Sequence, residues 1–424
     1  MSASGEIELD IERLGGRGDG VGQGDGHKIY VPFTTAGDRV RVRLGEKRGE
    51  GIGARLVEVL TAGPDRAQAP CPHFSHCGGC TLQHISPAAE QVWKRQLVVD
   101  ALGRRALDDT TILETISVPA NSRRRTSFSV FNAGGRILFG YLARGSHRVV
   151  PIETCDVLDP QLSALIKPLA ALAHDLPIPR KGLNIAVTAT TSGVDIVISG
   201  RKELDLDLRE RLTEFATEQD IARLSWGVKH PELVIAQRMP MVKFGGVAVE
   251  PAPGGFLQAS EVAEAALTEH VLDHLGDCKN IIDLFAGVGT FALALADKGA
   301  QVTAFDGDEA AIDAMTAAVN RSAGRINISA NARDLERRPL ALHDFKGVDA
   351  VVLDPPRAGA KAQCETLASS DIRKIAYVSC NPGTFARDAR TLVDGGYSLL
   401  SVAPINQFPW SSHVELIGRF ERVV

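Results

Sequence analysis

Residues Asn280 to Ala296 read NIIDLFAGVGTFALALA. A short apolar run, a turn carrying Gly287 and Gly289, and a second, longer apolar run predict a strand, a tight turn and a helix. Glycines in such a turn let the backbone approach a ligand closely, outside the carboxyl end of a strand where open α/β sheets bind ligands. The spacing is not the G-x-G-x-x-G of dinucleotide enzymes. The pattern recurs downstream: AQVTAF ends before Asp306, RINISANA before Asp334, VVL before Asp354 and KIAYVS before Cys380, with helical runs such as DEAAIDAMTAAVN between. This alternation predicts an α/β domain with a doubly wound, Rossmann-like parallel sheet. Asp306 is placed to accept from both hydroxyls of a ribose, and Asp334 to meet an adenine edge. Acidic side chains at successive strand ends are what a nucleoside site needs.

Outward from this sheet, the 424-residue chain is long enough for two or three domains. Residues 256–424 form the sheet domain and residues 63–255, with mixed strand and helix signals, a central α+β domain. In residues 1–62 short β-branched runs punctuated by glycine predict a small antiparallel barrel, OB-like in size. Within it Arg39, Arg41 and Arg43 alternate with apolar residues on one strand face, which suits either phosphate contact or a solvated face. With 44% hydrophobic and 23% charged residues the composition is that of a soluble globular protein. The net charge of -5 gives no bulk reason for a polyanionic partner, so any nucleic-acid contact rests on local basic clusters. The N-terminal stretch lacks a signal-peptide core, and no run approaches the ~20 apolar residues of a membrane span. A cytoplasmic protein without membrane contact is expected, and no obligate protein partner is evident.

KIAYVSCNPGT (Lys374 to Thr384) carries Cys380 to the tip of a tight turn beside the nucleoside site. Carbon 5 of a uracil is a poor nucleophile, and prior addition of a thiolate at C6 turns the ring into an enolate that can accept a methyl group. The thiol's pKa has to be lowered for that task, for which Arg357 and backbone amides of the Asn381–Pro382 turn are candidates. After methylation C5 carries a methyl and a hydrogen, so a base must take the proton before the thiolate leaves. Glu415, in the apolar run SSHVELIGRF, is the candidate, since burial raises a carboxylate's pKa towards that of a useful base. His413 is the rival.

The turn D-L-F-A-G-x-G-T resembles the first motif of the S-adenosylmethionine methyltransferases. Amino-group methyltransferases often carry an aromatic residue after D-P-P, where this chain has Arg357. Taken together, DLFAGVGTFAL, LDPPRAG, YVSCNPGT, HVEL and the FLQ ending at Gln258 resemble the RNA uracil-5 methyltransferase family, most of all its 23S rRNA members. The resemblance implies Cys380 as nucleophile and Glu415 as base, with Gln258, Phe285, Asp306 and Asp354 around S-adenosylmethionine, beside Gly287 and Thr290 of the turn. Thr290 stands where some members have asparagine, and Asp306 where many have glutamate; both keep hydrogen-bonding capacity. The N-terminal barrel resembles the RNA-binding TRAM module of such enzymes.

Seven cysteines, unevenly spaced and without a secretion signal, favour metal binding or catalysis over disulfides. Cys71, Cys77 and Cys80 stand at C-x5-C-x2-C, and Cys155 completes a set of four thiolates suited to a [4Fe-4S] cluster or to zinc. The first spacing, longer than a usual zinc pair, favours the cluster, and the resemblance implies the same. It differs from the C-x3-C-x2-C of radical enzymes, so the expected role is structural or RNA-docking. His73, His76 and His84 read as surface histidines, and Cys278 and Cys364 as structural thiols. The expected substrate is RNA, 23S rRNA by resemblance, presented as a flipped-out uridine. Arg123, Arg124 and Arg125, entering a predicted strand, are candidate phosphate contacts, with Arg144 and Arg148 nearby. The rival readings are a tRNA uridine-5 methyltransferase, an N-methyltransferase of nucleic acid or protein, and a non-catalytic iron-sulfur RNA-binding protein.

Overall fold

The computed structural model describes residues 5–422. Strands Asn327–Ala332, Gln301–Asp306, Asn280–Leu284, Ala350–Leu353 and Lys374–Ser379 lie side by side in that order, all parallel. Their side chains alternate between two cores. Ile281, Val352 and Ala376 face one, packed by helices Glu261–Leu275, Thr290–Asp297 and Glu309–Arg321; Ile282, Val351 and Tyr377 face the other, packed by Lys361–Ala368 and Pro382–Asp394. A sheet buried on both faces explains why these runs read as nearly unbroken apolar stretches. The sheet continues with the antiparallel strand Glu415–Arg422, then Tyr397–Asn406. The first strand in sequence, Asn280–Leu284, lies between the second and fourth, so a crevice opens at its carboxyl end.

Strands Glu6–Leu14, Gly20–Gly24, His27–Val31, Arg39–Arg48 and Gly51–Thr61 close into a small barrel around Leu9, Ile11, Ile29, Val31, Val40 and Val42. On its outside Arg39, Arg41 and Arg43 pair with Glu8, Glu58 and Glu6 at 3.3, 2.7 and 2.7 Å. Their charge is met within the barrel, which decides for a solvated face. The middle of the chain forms a seven-stranded sheet, mostly antiparallel, with its own core. Among the described residues no helix is long and apolar enough to cross a membrane.

Residues 63–255 do not stay in one body. Helix Pro87–Gly103, started by the Ser86 cap and Pro87, packs Val98, Ala101 and Leu102 against the C-terminal sheet. Strands Thr111–Ile112 and Ile116–Ser117 add to the edge of that sheet, and the hairpin Val242–Phe244/Val247–Val249 enters its other core. Helical periodicity shows that an element has an apolar face, not which core receives it.

The docked helix carries a fully buried lysine. Lys94 pairs with Glu90 at 2.9 Å and donates to the Asn406 side chain and, at 2.8 Å, to the Phe408 carbonyl. Removing one partner of a buried pair strands the other's charge. Lys94→Met should cost roughly 3–5 kcal/mol of stability in chemical denaturation, with Glu90→Gln/Lys94→Met costing less than the sum of the two single changes.

Candidate active site

The crevice is a cavity of about 570 Å³. Strand ends build its walls, and Gln258, Phe285, Gly287, Thr290, Asp306, Asp334, Asp354, Cys380 and Glu415 all line it. The turn after Asn280–Leu284 is the tightest part. Phe285 and Gly287 both take left-handed backbone, φ 63° and 54°, a conformation costly for an aromatic residue and easy for glycine. A Cβ on Gly287 would meet nothing within 4 Å, whereas one on Gly289 would strike Leu293 at 2.8 Å. Gly289 is thus demanded by packing, and Gly287 keeps the backbone bare towards the cavity.

Asp306 accepts from Gly287 N at 2.8 Å and Asp308 N at 2.7 Å, so its carboxylate is oriented by backbone with lone pairs to spare. Asp334 accepts from the amides of Glu336 and Arg337, fixing the next strand end. Beneath the turn Asp283 is fully buried, and desolvation, then the charge of Asp354, pushes its carboxyl well above the usual range. Bare glycine backbone, an oriented carboxylate and further acidic groups suit a nucleoside bearing a positive charge, as S-adenosylmethionine does. In that fit Asp306 would hold the ribose and Asp334 the adenine edge.

Across the cavity Cys380 follows Lys374–Ser379, and Glu415 begins the antiparallel neighbour, as the Ser379–Leu416 pairing requires. Glu415 is therefore the first residue of its strand, not an interior one. Burial, then Asp354, drives its carboxyl well above the usual range, against a hydrogen bond from Gln407. The Cys380 thiol is pushed up to about 11 by burial, then by Glu415 and Asp354, with Arg357 opposing. The expected lowering is absent because burial of the thiol comes first, and one exposed guanidinium does not offset it. Of the turn amides, Asn381 N donates to Ser379 Oγ and Pro382 has no N–H, which leaves the backbone N–H of Cys380 itself as the one that lowers the thiol. Arg357 acts instead through its carbonyl, which accepts from Asn381 Nδ2 and Thr384 Oγ1, both at 3.2 Å, tying the Asp354 loop to the Cys380 turn. His413 lies outside the cavity lining, its ring against Phe408.

The three consecutive arginines part company. Arg124 is 3% exposed, pairs with Glu264 and donates to the Gln258 carbonyl at 2.9 Å, so it is a buried clamp and not a phosphate contact. Strand Arg125–Ala133 begins only at the third of them, but Arg123 already bridges to Leu158 and Ser260, and along such extended backbone the middle side chain points away from its neighbours. Arg123 and Arg125 do reach the cavity mouth, over the rings of Phe408 and Phe256 at 5.7 and 4.4 Å. Phe256, 58% exposed, was not among the expected residues, nor were Phe408 and Gln407. The polar-aromatic run NQFPW between two apolar strands was the available signal.

Cys71, Cys77, Cys80 and Cys155 line a second cavity of about 310 Å³, and Arg123 lies in the wall between the two. Among the described residues no three His, Cys, Asp or Glu side chains are gathered as a site for a single metal ion. The cysteine loop is held by Gly78 N donating to the Leu142 carbonyl at 2.9 Å. His84 is no surface histidine: buried, it stacks on Phe74 and bonds the Thr34 carbonyl, and desolvation lowers its pKa to about 4. Cys364 is buried, as a structural thiol should be.

The family model described as tRNA (uracil-5-)-methyltransferase matches residues 106–421. An uncharacterised RNA methyltransferase of Caulobacter vibrioides is 40% identical over 98% of this chain and 100% of its own length. The 23S rRNA (uracil(1939)-C(5))-methyltransferase of Chromohalobacter salexigens is 35% identical over 96% of this chain and 87% of its own. In fold, the chain is similar to the Pyrococcus abyssi tRNA (uracil-54, C5)-methyltransferase solved with S-adenosyl-L-homocysteine, with TM-score 0.77, 24% identity and coverage of 98% and 100%.

Asp354 gives a pH test of the cavity. Burial, then the charge of Asp306, raises its carboxyl to about 7. Below about pH 4 the group is protonated folded or unfolded. As pH rises from there to 7 the unfolded chain sheds the proton first, so stability falls, and above 7 the loss is complete. Asp354→Asn should therefore gain stability relative to the parent on going from about pH 5 to pH 8, measured by denaturation at both.

Proposed function

The chain belongs to the tRNA (uracil-5-)-methyltransferase family, and we propose that it methylates carbon 5 of one uridine in RNA, 23S rRNA before tRNA. The observation that carries this reading is the meeting of Cys380 and Glu415 on adjacent strand ends, across one cavity from the Gly287–Asp306 turn. Full-length similarity to a named 23S rRNA enzyme supports the ribosomal substrate; the description of the family supports tRNA as the second reading. A cytoplasmic place of action goes with either RNA.

S-adenosylmethionine, when bound, supplies a methyl group on a cationic sulfur. The chain's own residues do the rest. Cys380 Sγ, its proton released to solvent as substrate binds, bonds to C6 of the uracil; the C5–C6 π electrons move onto C5, which takes the methyl group as the methyl–sulfur bond breaks and leaves its electrons on sulfur. Glu415 removes the C5 proton, the C5–H electrons restore the C5–C6 double bond, and the C6–S bond breaks to release the thiolate. A high thiol pKa fits a nucleophile stored protonated until substrate fills the cavity. Arg123 and Arg125, with Phe408 and Phe256, offer charge and ring faces to an unpaired strand at the mouth. The four cysteines, two brought by one glycine-rich loop, suit a [4Fe-4S] cluster held by Cys71, Cys77, Cys80 and Cys155, which would fix that loop and the Arg123 wall.

The first test is a denaturing gel after incubation with S-adenosylmethionine and RNA carrying 5-fluorouridine, whose fluorine no base can abstract. Parent and Glu415→Gln should give a stable protein–RNA adduct and Cys380→Ala none; an adduct with Cys380→Ala sinks the assignment. Labelled methyl transfer to 23S rRNA fragments and to tRNA decides the substrate. Anaerobically purified protein should carry iron and sulfide in equal amounts, lost in Cys155→Ser, whereas zinc in their place would overturn the cluster. Arg123→Ala and Arg125→Ala should each lower the salt dependence of RNA binding by about one in slope, and Arg124→Ala should leave it unchanged.

A further inference from the structure

Gln407 immediately follows strand Tyr397–Asn406, is 3% exposed and lines the cavity between two groups already assigned. Its Nε2 donates to Gln258 Oε1 at 3.0 Å and to Glu415 Oε2 at 3.2 Å. An amide nitrogen carries two hydrogens, so both are committed. Gln258 is itself fixed, donating to Asp354 Oδ2 at 3.0 Å while Arg124 holds its carbonyl. Among the described residues, Gln407 is the one side chain that hydrogen-bonds the Glu415 carboxyl, and no cation pairs with it.

We propose that Gln407 is a positioning residue for the proton-abstraction step: it occupies Glu415 Oε2, leaves Oε1 as the oxygen that takes the C5 proton, and favours the carboxylate over the acid. The proposal rests on Glu415 being the base. An amide N–H donates but does not accept, so its bond is strongest to the ionised carboxyl. The other groups facing Glu415 oppose or ignore that form. Asp354, at a strand end two places along the sheet, repels it; Cys380 lies opposite with Arg357 beside the thiol; His413, two residues upstream, packs against Phe408. Burial adds to the repulsion, and Gln407 is the counterweight. Loss of the amide therefore makes the carboxylate scarcer at neutral pH.

The step affected comes after the C6 adduct and the methyl transfer, which separates a positioning role from a structural one. In the full-length protein, Gln407→Met keeps the length of the side chain and removes both donors. On unmodified RNA that the parent methylates, turnover should fall about tenfold or more, its rising pH limb should move to higher pH, and the covalent intermediate should accumulate on a denaturing gel. With the 5-fluorouridine RNA, adduct should form within about twofold of the parent rate, because that trap does not use the base. Parent-like turnover overturns the proposal, and so does an equal fall in turnover and in trapping. Glu415→Gln run in parallel keeps the two assignments apart. If it accumulates adduct and Gln407→Met does not, the Gln407 role alone fails; if Glu415→Gln turns over normally, the base assignment fails.

Discussion

One reversal of strand direction sets the chemistry of this protein. Five parallel strands deliver their carboxyl ends to one edge of the sheet, and the strand beginning at Glu415 runs against them. Its amino end therefore meets their carboxyl ends. Neighbouring strands lie about 4.8 Å apart, so Glu415, at the head of its strand, and Cys380, the first residue past the end of its own, come to face the same cavity. Groups mounted on strand ends inherit the stiffness of the ladder, which a loop cannot offer.

The same placement makes the cavity polarised. Asp306, Asp354 and Glu415 line it with Asp283 buried behind the turn, and burial with mutual repulsion drives Asp283, Asp354 and Glu415 towards their neutral forms. Arg123, Arg125 and Arg357 stand at its mouth. A cationic ligand below and a polyanion above suit that gradient. A net charge of -5 conveys none of this, because the arginines of the barrel are cancelled by their own carboxylates and those at the mouth are not.

Much of the sheet domain was legible in the sequence because strands buried on both faces must be apolar and their ends must turn. Asp306, Asp334, Asp354 and Cys380 could be placed by counting from those runs. What failed depended on neighbours distant in sequence. Arg124 looked like its flanking arginines until the fold turned it inward onto Glu264. His84 looked exposed until Phe74 and Thr34 closed over it. Helix Pro87–Gly103 gave its caps and its apolar face but not its destination. The Cys380 thiol was misjudged because its burial, and after it the approach of Glu415, depend on strand order. Gln407 had no motif at all; its importance lies in two hydrogen bonds to residues that only the fold brings to it.

The loop between Asn406 and Glu415 is gripped from the other end of the chain. Trp410, in left-handed backbone at φ 60°, accepts through its carbonyl from Thr81 N and Leu82 N, directly after the last cysteine of the cluster loop, and gives its own N–H to Glu90. Lys94 holds the same loop by the Phe408 carbonyl. The C-terminal sheet and the cysteine loop thus share one fastening, made of residues roughly three hundred positions apart. A chimera joined between the cysteine loop and helix Pro87–Gly103 would divide the grip on Trp410 between two parents. The cysteine loop, that helix and the 406–415 loop therefore form one mechanical unit, which a graft has to move whole.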